Sequence, residues 1–530
     1  MKKINLFCIF ILFCAFSCLE NVDMPKERQN VALPELKMEE ISDLKYNGAT
    51  INANIESANG YKIISRGFIL GLNSNPRNGG DSIPVLFEGD GTGKFSHQVE
   101  ELKTNTTYYY MAYAVNSKGI QYSDISSFRT WTETPTVRTG NAQNVADGNA
   151  IFQGDILSEG ASPIIECGIC WSTVSERPLY NVNNTYISPD VEEHFSTIVS
   201  KMAGGITYYF RAFAINGSHG ISYGETVALS TPPVWEKLPS FPGGGRLSPT
   251  TFTLLQNFYV ATGEAENTDL QNSVWEFNPS SGVWQEKTGF PGIARKGASS
   301  FVIDNKTYLG FGTGNNGGIY SFKDFRSYLP NQDIWNPIEM EFPSESRGYS
   351  PAFSLNNTGY VVGGQNYPAY ETLSEVWTYR SVGGSGIWTQ KKPFPIPIMG
   401  GIAFTSNDRA FIGLGKCLNP DIYYNEIWEY NLQNDTWKII STVPDDFKLA
   451  EGEITNVTVI EQKAYIIDGI NQVWIFDLIT EKWEQKSIMP GDLQPNQCMF
   501  SRQHDIFVGL KRNSPIFYKY RPFWDNPITP

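Results

Sequence analysis

The residues best suited to chemistry recur at spaced positions in the C-terminal half of the chain. Arg246, Arg295 and Arg347 follow one another 49 and 52 residues apart, each in a link between repeated apolar runs. Longer loops carry Glu264 with Glu266 and Asp269, then Tyr367 and Tyr370 with Asn366, then Lys416, Tyr423 and Tyr424 with Asp421. Lys511 and Arg512 close the series. Aromatic faces stack on sugar C–H surfaces while amide, carboxylate and guanidinium groups bond hydroxyls, so this set suits a glycan. It suits a protein interface equally. Each arginine has two readings, contact with a ligand or tying of adjacent loops.

Other chemistries find less support. Only four histidines exist, His97, His194, His219 and His504, and one of them lies in the C-terminal half. There is no Gly-x-Ser-x-Gly elbow and no phosphate-cradling glycine loop. Cys167-Gly-Ile-Cys170 has metal or redox spacing, but in a strand those two side chains point to opposite faces. No second pair completes a zinc site, so core cysteines are expected, with no metal and no cofactor. Net charge is −14, without the basic footprint that nucleic acid requires.

The N-terminus reads as a targeting segment. Lys2 and Lys3 precede an apolar run, Ile4 to Phe16, broken only by Asn5 and too short to span a bilayer. It ends in Ala15-Phe16-Ser17-Cys18, which resembles a bacterial lipobox, with Ala15 where that pattern usually has Leu. The resemblance implies that 1–18 is a lipoprotein signal peptide and that Cys18 becomes the acylated first residue, a stable membrane anchor. Glu20 and Asp23 resemble the acidic tag of Bacteroidota-type surface lipoproteins, which implies an outer-membrane protein facing the cell surface. Residues 19–32 are polar and read as a tether.

The elements that must position the loop residues come next. Thr107-Tyr-Tyr-Tyr-Met-Ala-Tyr-Ala-Val-Asn116 recurs 100 residues on as Thr207-Tyr-Tyr-Phe-Arg-Ala-Phe-Ala-Ile-Asn216. Alternating aromatic and small residues fit period-two strands, and modules of this length fit β-sandwiches at 33–131 and 132–231. The repeated strand resembles fibronectin type III-like modules, which implies spacers.

From Trp235 the period changes. Trp recurs at 284, 335, 388, 437 and 483, intervals of 49, 51, 53, 49 and 46 residues. Val274-Trp275-Glu-Phe277, Val376-Trp377-Thr-Tyr379, Ile427-Trp428-Glu-Tyr430 and Val473-Trp474-Ile-Phe476 precede four of them. Tyr320 is taken as the replacement for the first Trp of the second unit. An apolar strand ending in Gly precedes each phrase, as in Tyr360-Val-Val-Gly-Gly364. This order resembles the kelch repeat and implies a six-bladed β-propeller over 232–530. Trp235-Glu-Lys-Leu238 has no strands of its own before it, so it should complete the last blade and close the ring. The recurring tryptophans are expected to pack between blades. Because strands alternate direction, the two–three loops and the inter-blade links should emerge on one face.

The expected fold is therefore all-β, two tandem sandwiches and a propeller. The resemblances imply a non-enzymatic surface lipoprotein that binds glycan or docks on an outer-membrane uptake complex of the SusC/SusD type. The kelch copper oxidases use more histidines than this chain offers. Some six-bladed kelch proteins are sialic-acid epimerases or mutarotases, which makes a carbohydrate-active enzyme of that kind, or a lyase, the alternative; the resemblance then implies a proton-transfer group and an arginine for the sugar carboxylate, which Glu264 with Arg246, Arg295 or Arg347 could supply. A structural protein–protein adaptor is the third reading.

Overall fold

The computed structural model describes residues 32–77, 82–87, 89–217, 220–315, 317–337, 341–382, 385–449, 456–491 and 498–528. Cys18 and the tether lie outside them. The described residues form strands throughout, with one 3-10 turn at Pro522–Trp524. No helix among them is long and apolar enough to cross a membrane. They fall into two compact units. One runs to Ala142 and adds Phe152–Thr197 and Tyr209–Val227; the other takes Gln143–Ile151, Ile198–Tyr208 and everything from Ala228.

In the first unit, Glu35–Ser42, Ala49–Ser57 and Gly93–Val99 form one antiparallel sheet. Ser82–Phe87, Ile63–Gly71, Thr107–Asn116 and Gly119–Tyr122 form another, with Ser126–Arg129 also on Thr107–Asn116. Ala49–Ser57 alternates buried and partly buried residues because one face meets the opposite sheet and one meets water. The buried set Ile51, Ala53 and Ile55 meets Phe68, Leu70, Tyr108 and Tyr110 in one core. The following repeat has the same plan, with Phe152 of one sheet stacked on Phe210 of the other, centroids 3.9 Å apart. Both repeated strands, Thr107–Asn116 and Thr207–Asn216, have the bounds read from the sequence. Cys167 and Cys170 are both buried and unpaired by disulfide. Burial pushes the Cys170 thiol up to about 11.

The second unit holds six four-stranded antiparallel sheets. Sheet 1 is Thr250–Leu254, Asn257–Ala261, Val274–Asn278 and Val283–Lys287. Sheet 2 is Ser299–Ile303, Lys306–Gly310, Phe325–Leu329 and Ile334–Pro337. Sheet 3 is Ala352–Leu355, Thr358–Asn366, Glu371–Val382 and Ser385–Lys391. Sheet 4 is Ile402–Ser406, Arg409–Gly413, Glu426–Asn431 and Thr436–Thr442. Sheet 5 is Val457–Ile460, Lys463–Ile467, Gln472–Asp477 and Lys482–Ile488. Sheet 6 is Cys498–Arg502, Asp505–Lys511 and Ser514–Tyr520, completed by Trp235–Leu238.

The first strands of sheets 1 to 6 touch in numerical order, and that of sheet 6 touches that of sheet 1. Hydroxyls join neighbouring first strands: Ser354 Oγ accepts from Val302 N–H at 2.9 Å, and Ser300 Oγ donates to the Thr251 carbonyl at 3.1 Å. Second strands such as Phe258–Ala261 and Ala410–Gly413 are buried on both faces, because a sheet lies on either side. Hence the continuous apolar runs before each Gly. The third strand of sheet 2 corrects one sequence expectation. Arg326, not Tyr320, stands opposite Leu309 as Trp275 stands opposite Val260. Tyr320 belongs to an extra hairpin, Thr313–Asn315 with Ile319–Ser321.

Candidate functional site

The links between sheets and the loops between second and third strands are hydrogen-bonded to one another. Arg246–Leu247 pairs with Glu264–Ala265, Lys296 with Thr313, Gly348 with Gln365, and Met399 with Lys416. Links and loops therefore share one end of these sheets. Beside them runs a chain of backbone bonds. Gly297 N–H donates to the Ser248 carbonyl at 2.9 Å, Tyr349 N–H to Gly297 at 2.7 Å, and Gly400 N–H to Tyr349 at 2.7 Å. All four residues have left-handed backbone, φ 46° to 62°. Glycine occupies two of the four, where that conformation costs it nothing. A cavity of about 170 Å³ is lined from every first strand, by Thr251, Ser300, Ala352, Ala403, Val457 and Met499 among others. Tyr349 and Gly400 line it too, so the backbone chain borders its mouth.

The three arginines turn away from solvent, at 2 %, 1 % and 0 % exposure for Arg246, Arg295 and Arg347. In each, Nη1 donates to the carbonyl sixteen residues on: Thr262 at 3.1 Å, Phe311 at 2.8 Å, Gly363 at 3.1 Å. Arg295 adds a two-pronged pair with Asp324, 2.7 and 3.1 Å, and Arg347 a bond to Glu375 at 2.6 Å. Burial lowers the pKa of all three, and the carboxylates oppose it for Arg295 and Arg347. Arg246 has no such partner and falls to about 10. These guanidinium groups hold the end of the second strand against the link.

Glu264 is also buried. Its carboxylate bridges Lys296 on the next link and Arg512 of sheet 6, the latter at 3.5 Å. Tyr367 is half-buried, and burial pushes its phenol up to about 12. Its backbone accepts from and donates to Ser321, which ties the extra hairpin of sheet 2 to the loop of sheet 3. Tyr370 meets it edge-on at 5.1 Å and is 55 % exposed. In the loop of sheet 4, Lys416–Leu418 pairs with Asp421–Tyr423, and Lys416 Nζ lies 5.3 Å over the Tyr423 ring. Tyr423 is 40 % exposed, whereas Tyr424 packs into the core between sheets 3 and 4. The Thr372 hydroxyl accepts from Leu418 N–H at 3.2 Å and so joins the loops of sheets 3 and 4. Two adjoining loops thus present Tyr370 and Tyr423 to solvent, with Lys416 partly buried beside Tyr423, while Arg246, Arg295, Arg347, Glu264 and Tyr424 serve the frame.

No family model matches the chain, and no curated protein matches it. A solved structure entitled "Structure of YjhT" is similar. It is 14 % identical, with a TM-score of 0.42, over 53 % of this chain and 95 % of that one.

One recurring feature escapes a reading of the tryptophans alone. Each fourth-strand Trp of sheets 1 to 5 meets a Phe from the link before its sheet. The pairs are Trp284 with Phe241, Trp335 with Phe290, Trp388 with Phe342, Trp437 with Phe394, and Trp483 with Phe447, at 4.9 to 6.0 Å. The signal was a Phe-Pro 43 to 46 residues before each of the first four Trp, with Phe447 36 residues before Trp483. Among the described residues no group of three His, Cys, Asp or Glu side chains is placed to hold a metal ion.

Proposed function

We propose that the six sheets are the blades of a kelch-type β-propeller closed by its N-terminal strand, and that its loop face binds glycan without turning it over. On this reading two fibronectin III-like sandwiches carry the propeller on a lipid anchor at Cys18, at the outer surface of the cell. The carrying observation is the contrast within one face. Tyr370 and Tyr423 are exposed, with Lys416 over the Tyr423 ring, whereas Glu264 is locked between Lys296 and Arg512. Exposed rings with an ammonium at their edge are what a sugar surface needs. A carboxylate held by two cations is a poor proton shuttle, and Arg295 and Arg347, already paired with Asp324 and Glu375, are not available to a substrate carboxylate. That argues for binding over the epimerase type.

Glycan-array binding of the purified protein, followed by product analysis on every hit, tests this. Retention of a glycan with no chemical change is expected. Turnover of any retained sugar overturns the non-enzymatic reading, and silence across the array favours a protein partner. One observation supports that second reading: Ile319 and Ile422, in the two hairpins that flank the loop of sheet 3, are exposed. Copurification of an outer-membrane uptake complex, lost on Ile422→Asp, would establish it.

A further inference from the structure

Sheets 1, 2 and 3 share a corner that is complete in two of them. Phe325 stands opposite Gly310 and Val376 opposite Val362, as Val274 stands opposite Ala261, and the residue before each is Asp324 in sheet 2 and Glu375 in sheet 3. Each carboxylate meets the buried arginine of its own sheet, and each is about one-third exposed, at 33 % and 32 %. In sheet 1 the same place is Ser273, ahead of Val274. The backbone agrees, since Thr262 N–H donates to the Ser273 carbonyl as Phe311 N–H donates to that of Asp324.

Arg246 therefore carries its charge without a carboxylate within 4 Å among the described residues. Its Nη1 bonds the Thr262 carbonyl at 3.1 Å and Ser273 Oγ at 3.3 Å, and its Nη2 bonds the Gly243 carbonyl at 3.0 Å. Its Nε is buried with no partner. Phe241 flanks the guanidinium at 5.4 Å, as Phe290 flanks Arg295 at 4.7 Å. A side chain built on Gly292 would touch both Arg295 and Asp324, whereas one on Gly243 would touch Arg246 and no acid. A buried guanidinium short of both a hydrogen-bond acceptor and a counter-charge favours an anion strongly. The planar fork selects a carboxylate, as the two-pronged Arg295–Asp324 pair illustrates.

We propose that Arg246, Ser273 and the turn at Gly243 form a binding site for a small carboxylate, which completes in sheet 1 the ion pair that Asp324 and Glu375 complete in sheets 2 and 3. The ligand enters beside the partly exposed Ser273, where the carboxylates of the sister sheets meet solvent. The site stands whether or not the loop face binds glycan. The carboxylate comes either as a free small acid or as the acid group of a sugar.

Thermal unfolding of the purified protein tests it, with sodium acetate replacing sodium chloride at constant ionic strength. Sodium glucuronate and neutral glucose are run in parallel. Wild type is expected to gain roughly 2 °C in a saturable curve with acetate and glucuronate. A lower half-saturating concentration for glucuronate identifies a sugar acid as the source; equal concentrations identify the carboxylate alone. Ser273→Asp supplies the missing group from the chain, so it should start higher and show no response. Ser273→Glu, with the acid found in sheet 3, serves the same purpose should the shorter side chain not fold. A flat wild-type curve, an undiminished response in the folded variant, or a glucose response equal to that of glucuronate overturns the site.

Discussion

The guanidinium of Arg347, wholly buried, donates to Glu375 Oε2 at 2.6 Å, and that same oxygen accepts from Ser344 Oγ and Trp377 Nε1. One carboxylate thus gathers the link before sheet 3, the link arginine and the third strand. Arg347→Met strips the cation from this oxygen and a donor from the Gly363 carbonyl. The expected cost is about 3 kcal/mol, the range for breaking a buried pair. Arg347→Met combined with Glu375→Leu should recover part of it. Denaturant unfolding of the three proteins measures both effects.

Acid should weaken the same corner. Burial pushes the Glu375 carboxyl up, but bonds from Arg347, Ser344 and Trp377 outweigh it and hold the group below its ordinary value. A depressed folded pKa contributes stability that is full above the unfolded pKa, near 4.3, and fades as pH falls through the folded value. Wild type should therefore lose melting temperature more steeply than Glu375→Gln between about pH 5 and pH 3. Parallel slopes would contradict the assignment.

Closure of sheet 6 rests on Trp235. Its ring stacks on Tyr520 at 4.4 Å, and its Nε1 donates to Ser487 Oγ of sheet 5 at 3.0 Å. Trp235→Ala should cost about 3 kcal/mol. Breaking the pairing of Trp235–Leu238 altogether, with Lys237→Pro and Leu238→Pro, leaves Ser514–Tyr520 as an open edge. Concentration-dependent light scattering should then rise on gentle heating.

Binding and stability should separate on the loop face. Tyr370→Ala and Tyr423→Ala are expected to lower glycan affinity about tenfold each, with melting temperature nearly unchanged, because both rings face solvent. Tyr424→Ala and Arg295→Ala should instead lower the melting temperature, since their side chains fill the frame. Calorimetric titration beside thermal unfolding distinguishes the two groups.

The mouth of the central cavity is sensitive to one methyl group. Gly297 has φ 59°, and a Cβ there would lie 2.6 Å from the Tyr349 ring. Gly297→Ala should cost roughly 1–2 kcal/mol and displace Tyr349. A crystal structure of the variant would show the ring moved.

Local pattern carried the elements. Period-two alternation marked Thr107–Asn116 and Thr207–Asn216 to the residue, and the spaced indoles marked the fourth strands and the joining of Trp235–Leu238 to the last sheet. These signals are legible because a strand's faces and a repeat's length are written in consecutive residues. The destination of polar side chains was not written there. Arg295 and Arg347 find their carboxylates 29 and 28 residues away, and Glu264 finds Lys296 and Arg512 on two other sheets. Whether a charged group faces water or closes a corner depends on which distant group meets it, since a buried charge persists only where a partner is supplied. Sequence alone therefore determined the strands, the repeat and the residues worth watching. The tertiary structure alone decided that Tyr370 and Tyr423 face outward while the arginines face in, because only folding sets the desolvation each side chain must bear and the partners that offset it.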